Sequence, residues 1–305
     1  MRRIETLMSH EPHGARDDAE GNRRGVSVML ATTTLFAIMN ALTKHVATLY
    51  PAPQILWIRY MIFAAYGLSK TLRRRGRWAL KSNAPYLQVT RGLLLATEIL
   101  MYIVAIRYMP LADIQAITGA GPLVTTALSV PLLKETIGIR RWSAICIGLI
   151  GLLIIVRPGF VQFDPIILLP LGGVVLYALY QILTRIVAQY DRPDTTVLYT
   201  GLVGLAAMTL VGPFFWETPD ARGLALICTV AIIGLTGHVL LIKALTLAPA
   251  SVLQPFNYTM IVWAVLFGYV FYDDLPDIPT AVGAIIIVAT GLYMFHRERI
   301  QTDRR

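Results

Sequence analysis

The stretch TRGLLLATEILMY, residues 90–102, places two charged side chains in a mostly apolar segment. Arg91 and Glu98 are seven residues apart, so on a helix they share one face. A carboxylate among leucines needs a cation, a hydrogen-bonding cavity or a proton to offset its desolvation. Glu98 is therefore either half of a structural ion pair, for example with Arg59, or the functional carboxylate of a binding site. Tyr102 follows one turn later, where it can stack on a ligand, donate to the carboxylate or simply pack in the core.

The charged residues of this region differ in their expected depth. Arg91 lies about 9 Å inside its segment, so its long side chain can reach back to the lipid headgroups, and we expect an interfacial anchor. Glu98 lies about 20 Å inside, and its short side chain cannot escape in this way. Arg59 lies near the start of its own segment, from which it can either reach the surface or bind an anionic substrate group.

Neutral amides and aromatic residues form a second group of candidates. Asn40 and Gln181 occupy corresponding positions in the two halves of the chain, so they either line one shared site or make interhelical hydrogen bonds worth only about 0.6 kcal/mol. Tyr177 and Tyr180 precede Gln181 in the sequence and are expected to form an aromatic wall beside it. Gln115 stands near the start of a segment, where helix capping is favoured over substrate contact.

The second half of the chain contributes three more candidates. His238 lies deep in an apolar segment, where a neutral His held by one hydrogen bond is the commoner case and proton handling or ligand contact is the alternative. Asn257 and Tyr258 lie deep in the next segment. We count all three as candidate substrate-binding residues.

Glycine and proline predict weak points in two segments. Gly119, Gly121 and Pro122 (ITGAGPLV) indicate a soft or broken helix, and Pro255 indicates a similar break in the second half. Such breaks allow a helix to bend, and they release backbone carbonyl groups that can then bind a ligand. Close helix packing through glycine is the alternative explanation.

The elements that carry these residues are membrane spans. Of the 305 residues, 56% are hydrophobic and 15% are charged, whereas a soluble domain has about a quarter charged residues. Ten segments are long and apolar enough to cross a bilayer as helices. The predicted fold is therefore an all-α polytopic membrane protein. The ten predicted spans are 26–46, 54–72, 85–106, 112–133, 142–157, 166–189, 195–215, 222–245, 249–271 and 279–296.

The net charge of +9 is explained by membrane topology. With the N-terminus in the cytoplasm, 21 Lys and Arg residues fall on the cytoplasmic side and four on the other. This asymmetry follows the positive-inside rule and places both termini in the cytoplasm. Because topology explains the positive charge, nothing else in the sequence supports nucleic-acid binding. We divide the chain into a disordered cytoplasmic tail (1–24), a first half (25–159), a second half (160–296) and a cytoplasmic tail (297–305).

The two halves are related by an internal repeat. A shift of 139 residues places AIRYMPLADIQ (105–115) over ALTLAPASVLQ (244–254), and a shift of 141 places FAIMNALTK (36–44) over YALYQILTR (177–185). Each half holds five spans, an odd number, so the second half must be inverted relative to the first. Inverted repeats with a central site between them are typical of secondary transporters.

The chain resembles the ten-span EamA type of the drug/metabolite transporter superfamily over roughly residues 26–296. Glu135 and Asp274, the acidic residues that close the fourth and ninth spans, fit that family, as does the number of spans. The resemblance implies two inverted five-helix repeats and secondary transport of a small organic metabolite across a bacterial inner membrane. Within the family, FNYTMIVWAVLFGY is most similar to bacterial metabolite or vitamin uptake carriers, of riboflavin or S-adenosylmethionine for example. The stretches that carry the resemblance are 44–60, 91–117, 131–159 and 244–277.

Other functional classes find little support. The sequence has no phosphate-binding glycine loop, no HExxH motif and no nucleophile beside a His, so we expect neither an enzyme nor a cofactor or metal. A channel would need a continuous polar lining, and the polar residues here are isolated. The expected partners are a small-molecule substrate and the lipid bilayer, and the sequence is compatible with a homodimer. Uptake of a vitamin- or nucleoside-like compound is favoured, with export of amino acids or cationic drugs as the alternative.

Overall fold

The computed structural model describes residues 13–75, 81–134, 137–157 and 164–302. Glu135 lies outside these ranges, as do residues 1–12 and 303–305 of the predicted tails. We number the helices α1 to α12 along the chain. They are α1 His13–Leu49, α2 Ala52–Arg75, α3 Pro85–Tyr108, α4 Leu111–Thr118, α5 Gly121–Leu133, α6 Ile139–Val156, α7 Leu168–Val187, α8 Pro193–Val211, α9 Ala221–Leu247, α10 Ala250–Leu253, α11 Thr259–Tyr272 and α12 Ile278–Thr302.

These helices build ten spans, because α4 with α5 forms the fourth span and α10 with α11 forms the ninth. In the described part of the chain, nine spans meet both the length and the hydropathy expected of a membrane crossing. The remaining span, α2, has the length but includes Gln54 and Arg59 near its start. The predicted all-α, ten-span architecture is confirmed.

The packing of the helices follows the repeat. The first six helices correspond in order to the last six, so α1 corresponds to α7, α3 to α9 and α6 to α12. The extensively packed pair α1–α9 corresponds to the pair α7–α3, which is also packed. The pairs α2–α8 and α6–α12 correspond to themselves and are likewise in contact. The molecule is therefore two inverted five-span repeats whose shared interface runs through its centre.

The two membrane faces can be defined from the chain. The terminal face is the one at which α1 begins and α12 ends, and the opposite face carries the connection between α1 and α2. Helices α3 and α8 begin at the terminal face, whereas α4 and α9 begin at the opposite face. These two names are used below without reference to the cell.

The fourth and ninth spans are broken where the sequence predicts weak points. Gly119 and Ala120 separate α4 from α5, and Pro122 occupies the first turn of α5. In the ninth span, α10 is followed by a 3₁₀ turn, Gln254–Tyr258, whose early position is occupied by Pro255. Proline lacks the N–H that a continuous helix would need. Both breaks belong to corresponding parts of the two repeats.

The same two spans also end alike. Lys134 follows α5 with φ 55°, and Asp273 follows α11 with φ 53°, and both have the left-handed backbone conformation. Residues other than glycine adopt this conformation at a cost of about 1 kcal/mol. The two positions are 139 residues apart, the offset that relates the halves of the sequence.

Helices α6 and α12 approach closely through glycine. A Cβ atom on Gly283 of α12 would lie 2.5 Å from the carbonyl oxygen of Gly151 of α6 and equally close to Ile155. Small residues at such contacts let helix backbones pack against each other where lipid offers no hydrophobic driving force. This pair forms a rigid side of the bundle.

Arg91 is buried in the protein rather than extended to the headgroups. Its side chain is 1% exposed, and Nη2 donates to the Thr196 carbonyl at 2.7 Å and to the Thr200 hydroxyl at 2.6 Å. Both acceptors belong to α8 in the second repeat. The predicted interfacial anchor is therefore wrong, because depth along α3 does not determine which face of the helix an arginine occupies.

A carboxylate of the connection between α7 and α8 joins this region to the terminal face. Asp191 accepts hydrogen bonds from the Asn83 backbone amide at 2.7 Å, from Gln88 Nε2 at 2.8 Å and from the Ser82 hydroxyl. Gln88 in turn accepts from Arg91 at 3.1 Å. The network ties the start of α3 to the second repeat.

Candidate substrate site

A central cavity lies between the two repeats. Its inner part has a volume of about 280 Å³ and is lined by α1 to α5 of the first repeat and by α7, α9 and α11 of the second. Six candidate substrate-binding residues from the sequence line it, and they come from five helices. These six are Asn40, Arg59, Glu98, Tyr102, Tyr177 and His238.

A second, larger cavity of about 670 Å³ continues from the first. Gln115, Tyr177 and His238 line both, so the two form one continuous space. Toward the terminal face the larger cavity reaches Leu245, two residues before the end of α9, and Phe295 near the end of α12. The central cavity thus extends from the middle of the bundle toward the terminal face.

Glu98 and Arg59 are the acidic and basic residues of the inner cavity. Each side chain is partly exposed to this cavity, and the positive charge of Arg59 is close enough to attract the Glu98 carboxylate. Their side-chain N and O atoms are nevertheless more than 4.0 Å apart, so the structural ion pair considered from the sequence does not form. The Arg59 guanidinium contacts the Met39 sulfur at 3.6 Å. Two opposite charges therefore face one space without neutralising each other by direct contact.

Tyr102 and Gln115 form a hydrogen-bonded pair on the wall of the inner cavity. Gln115 Nε2 donates to the Tyr102 hydroxyl at 2.8 Å. The predicted capping role of Gln115 is wrong, since it lies within α4 and lines both cavities. This hydrogen bond holds the Tyr102 ring against α4, the first helix of the fourth span.

His238 presents an aromatic edge contact to two phenylalanines. Its ring lies 5.1 Å from that of Phe36 and 5.7 Å from that of Phe63, measured between centroids. Both contacts are edge-to-face, an arrangement that favours aromatic packing. His238 lies beside Phe36 at the junction of the two cavities, so it stays a candidate for contact with a ligand.

Tyr177 and Tyr180 have different surroundings despite their proximity. The two rings stack at 5.8 Å, but only Tyr177 lines the cavity. Tyr180 lies behind it, 5.2 Å beneath the guanidinium of Arg91. The predicted aromatic wall thus consists of Tyr177, with Tyr180 supporting it.

The remaining polar candidates spread along the cavity. Asn40 belongs to the inner part, whereas Gln181 and Asn257 line the larger part. Tyr258 also lines the larger part, but its hydroxyl packs against Gly291 of α12 and makes no hydrogen bond within the described residues. Asn40 and Gln181 therefore face one continuous cavity, but each lines a different part of it.

The break of the fourth span lies on the cavity wall. Gly119, Gly121 and Pro122 line the larger part, and Gly121 lines the inner part as well. Pro255 does not line either part. The hinge role of these four residues stays a prediction.

At the opposite face, polar contacts of Lys44 hold the ends of α1, α3 and α11 together and join the two repeats. Lys44 Nζ of α1 donates to Asp274 at 2.6 Å and to the Met109 carbonyl at 3.0 Å. Its ammonium also lies 4.8 Å from the centre of the Tyr272 ring, whose hydroxyl donates to the Ala41 carbonyl at 2.6 Å. We call Lys44, Asp274, Met109 and Tyr272 the ionic latch.

Sequence reasoning misses several apolar or hydroxyl residues of the cavity. Phe36 and Thr43 stand four residues before and three after Asn40, the spacing at which helical residues share a face. This spacing is the signal that would have identified them. Thr118 and Met260 stand three residues after Gln115 and Asn257, so the same spacing marks them as well.

A bundle of ten membrane-spanning helices, with a central cavity that carries a few charged and polar side chains, is an arrangement typical of membrane transporters. Comparison with known families agrees: the profile of the EamA-like transporter family matches residues 23–157 and again residues 164–295. The chain belongs to this family. The two matches cover the two repeats in turn.

Several curated relatives align over nearly their whole length. An S-adenosylmethionine uptake transporter of Rickettsia prowazekii (strain Madrid E) is 25% identical over 275 residues, which are 90% of this chain and 93% of that protein. A riboflavin transporter of Vibrio cholerae is 26% identical over 92% of this chain and 96% of that protein. A pseudopaline exporter of Pseudomonas aeruginosa is 25% identical over 87% and 94%, respectively.

A solved crystal structure supports the fold alone. It superposes with a TM-score of 0.61 at 18% sequence identity and covers 88% of this chain and 96% of that one. The chain is thus a multi-pass membrane transporter of a small molecule, with the EamA arrangement of helices.

Proposed function

We propose that this protein is a secondary transporter of a bacterial inner membrane that takes up a small organic metabolite by alternating access. The observation that carries the proposal is the asymmetry of the central cavity. It extends to the terminal face and is closed by the ionic latch at the opposite face. A transporter of this kind exposes one central site to the two faces in turn.

The distribution of charge supports the orientation. Because the basic residues concentrate at the terminal face, the positive-inside rule places that face in the cytoplasm. The described conformation is then the inward-facing one, with its latch closed toward the periplasm. Arg157 and Asp277, which form a second ion pair between the repeats, lie at the same periplasmic end.

The broken spans supply the moving parts in this proposal. The break at Gly119 and Ala120 lies beside the cavity, and the 3₁₀ turn around Pro255 is its counterpart in the second repeat. A helix that is already interrupted bends at little cost, since no intact hydrogen-bond ladder has to be broken. Opening of the latch therefore requires bending at these two points.

The substrate class follows from the relatives and from the lining. Uptake of a vitamin- or nucleoside-like compound, of the riboflavin or S-adenosylmethionine type, fits a space with aromatic, amide and charged groups. Export is the second candidate, because one relative is named as an exporter and inverted repeats make the scaffold neutral to direction. Glu98, Asn40, Gln181, His238 and Asn257 would contact the substrate, with Tyr102, Tyr177, Tyr258 and Arg59 around them.

Transport in proteoliposomes tests the proposal. The purified chain is reconstituted with unlabelled S-adenosylmethionine or riboflavin inside, and uptake of the labelled compound is followed. Counterflow that depends on the internal substrate indicates alternating access. Uptake without counterflow, at a rate that does not saturate, would instead indicate a channel and contradict the proposal.

A further inference from the structure

The inference concerns the chemical class of the substrate head group, and it rests on the proposed transport function. Arg59 of α2 and Glu98 of α3 line the same inner cavity with opposite charges. They belong to the first repeat, and neither forms an ion pair with the other or with another described residue. Elsewhere in the described chain, the close ion pairs join the two repeats at the opposite face.

The two charged groups are incompletely satisfied by the protein. A guanidinium has five N–H donors, and for Arg59 the hydrogen-bonding contact is the weak acceptor Met39 Sδ at 3.6 Å. Glu98 has no hydrogen-bond partner among the described residues. Charged groups at such a depth are costly unless they are paired, and a ligand that carries both signs of charge would supply a partner to each.

The second repeat brings glycine close to both groups. A Cβ atom on Gly234 of α9 would lie 3.7 Å from Arg59 Nη2, and one on Gly173 of α7 would lie 3.9 Å from Glu98 Cγ. The space next to Gly234 is filled by the Met39 sulfur, 2.7 Å from where that Cβ would lie. The room for a ligand is the inner cavity of about 280 Å³ that both charged side chains line.

We propose that the inner cavity binds a zwitterionic aminocarboxylate group, with the substrate carboxylate on Arg59 and the substrate ammonium on Glu98. A guanidinium binds a carboxylate through two parallel hydrogen bonds. A substrate with a single charge would satisfy one of the two residues and leave the other unpaired in a desolvated space. A zwitterion satisfies both and adds no net charge to the cavity.

The rest of the substrate extends into the larger cavity. Tyr177 and His238 stand at the junction of the two parts, and Gln181 and Asn257 line the space beyond. Aromatic rings and amides together suit a flat, polar body that stacks and hydrogen-bonds. The substrate class is thus an amino acid that carries a heterocyclic or similarly polar extension.

A binding experiment with matched compounds tests the head group directly. Binding to the purified full-length chain in detergent is measured for S-adenosylmethionine, for 5′-methylthioadenosine, which keeps the nucleoside but lacks the aminocarboxylate and the sulfonium charge, and for riboflavin. S-adenosylhomocysteine, an uncharged thioether that keeps the aminocarboxylate, is the control for the sulfonium. We expect S-adenosylmethionine and S-adenosylhomocysteine both to bind at least about tenfold more tightly than 5′-methylthioadenosine. Equal binding of S-adenosylhomocysteine and 5′-methylthioadenosine, or binding of riboflavin alone, overturns the inference and leaves transport itself intact.

Variants test the two residues. Arg59→Gln and Glu98→Gln should each weaken S-adenosylmethionine binding by about tenfold or more and leave 5′-methylthioadenosine binding unchanged. Arg107→Gln and Glu217→Gln are the matched controls at the opposite face and should change neither. Wild-type affinity in both cavity variants overturns the assignment. Failure of the wild type to bind or transport any of these compounds counts against the proposed substrates as well as against this inference.

Discussion

The Lys44 ammonium and the Asp274 carboxylate meet at 2.6 Å across 230 positions of sequence and join the first repeat to the second. The bond lies at the opposite face, and the central cavity extends from the middle of the bundle toward the terminal face. In the proposed transport cycle the repeats would have to break this bond to separate at the opposite face. Removal of the pair is therefore the direct test of that cycle.

Removal of the latch should open the cavity at the opposite face, which is the periplasmic side in the proposed orientation. In Asp274→Asn the ammonium of Lys44 loses its counter-charge, and a charge-assisted bond contributes about 1.5–3 kcal/mol. We expect labelling of Thr43→Cys by a membrane-impermeant maleimide from the periplasm to rise by roughly tenfold. The measurement uses a background with Cys146→Ala and Cys228→Ala.

Asp273→Asn is the control for this experiment, because it changes the same residue type one position earlier and lies outside the latch. The exchange Lys44→Asp with Asp274→Lys should restore slow labelling. Equal labelling rates in wild type and Asp274→Asn would show that the latch does not govern access.

Substitutions of the two arginines should have different effects: loss of Arg91 should lower the free energy of unfolding, and loss of Arg59 should weaken substrate binding. Arg91 is buried and bonded to α8, whereas Arg59 faces the cavity. Replacement of Arg91 by Met leaves several buried acceptors without donors, so we expect a loss of about 2–4 kcal/mol in the free energy of unfolding. Arg59→Gln should retain most of the stability and lose binding.

Thermal unfolding in detergent and ligand binding, measured on both arginine variants, check this contrast. A stable Arg91→Met protein that fails to bind would assign Arg91 to the substrate site instead.

Asp191 should stabilise the terminal face except in strong acid. Burial alone would raise the pKa of its carboxyl, but hydrogen bonds from Ser82, Gln88 and the Asn83 amide outweigh burial and hold the pKa below its usual range. A lowered pKa means that the stabilisation is complete above about pH 4 and is lost as the pH falls through the lowered value. Asp191→Asn should therefore be less stable than wild type by about 1–3 kcal/mol at pH 7.

The stability difference between wild type and Asp191→Asn should be constant from pH 7 to about pH 5 and should shrink only below about pH 4. Melting temperatures of both proteins across this range test the prediction, with Asp273→Asn as the exposed control. A difference that disappears already near pH 6 would contradict it.

The contact between α6 and α12 should not tolerate a methyl group. In Gly283→Ala the new Cβ meets the Gly151 carbonyl and Ile155 at 2.5 Å, so the helices must move apart at a cost of about 1–3 kcal/mol. Gly67→Ala is the matched control, since a Cβ there meets nothing within 4 Å. Because alanine has a higher helix propensity than glycine, Gly67→Ala should preserve or slightly raise the stability. Equal melting temperatures for the two variants would refute the packing argument.

The sequence predicts the spans and their pairing well because membrane crossing depends on length and hydropathy, which are one-dimensional properties. It predicts less well which side of a span faces a cavity. Lipid and protein interior are both apolar, so helix faces carry a weak pattern. Arg91 and Gln115 illustrate the difficulty: their depth is read correctly, and their orientation toward α8 and toward the cavity is not.

The convergence of Asn40, Arg59, Glu98 and His238 on one space is consistent with the expectation that costly polar residues face a cavity. Their distances and partners, however, depend on the relative rotation of α1, α2, α3 and α9, which no local pattern encodes. The gap between Arg59 and Glu98 is a property of tertiary packing alone.

The left-handed corners at Lys134 and Asp273 lie at corresponding positions of the two repeats. A lysine and an aspartate share no chemistry, yet each bends the chain with nearly the same φ at the end of corresponding spans. Glycine would relieve the cost at both positions, and neither half has adopted it. The turn therefore belongs to the backbone of the repeat and does not depend on which side chain occupies it.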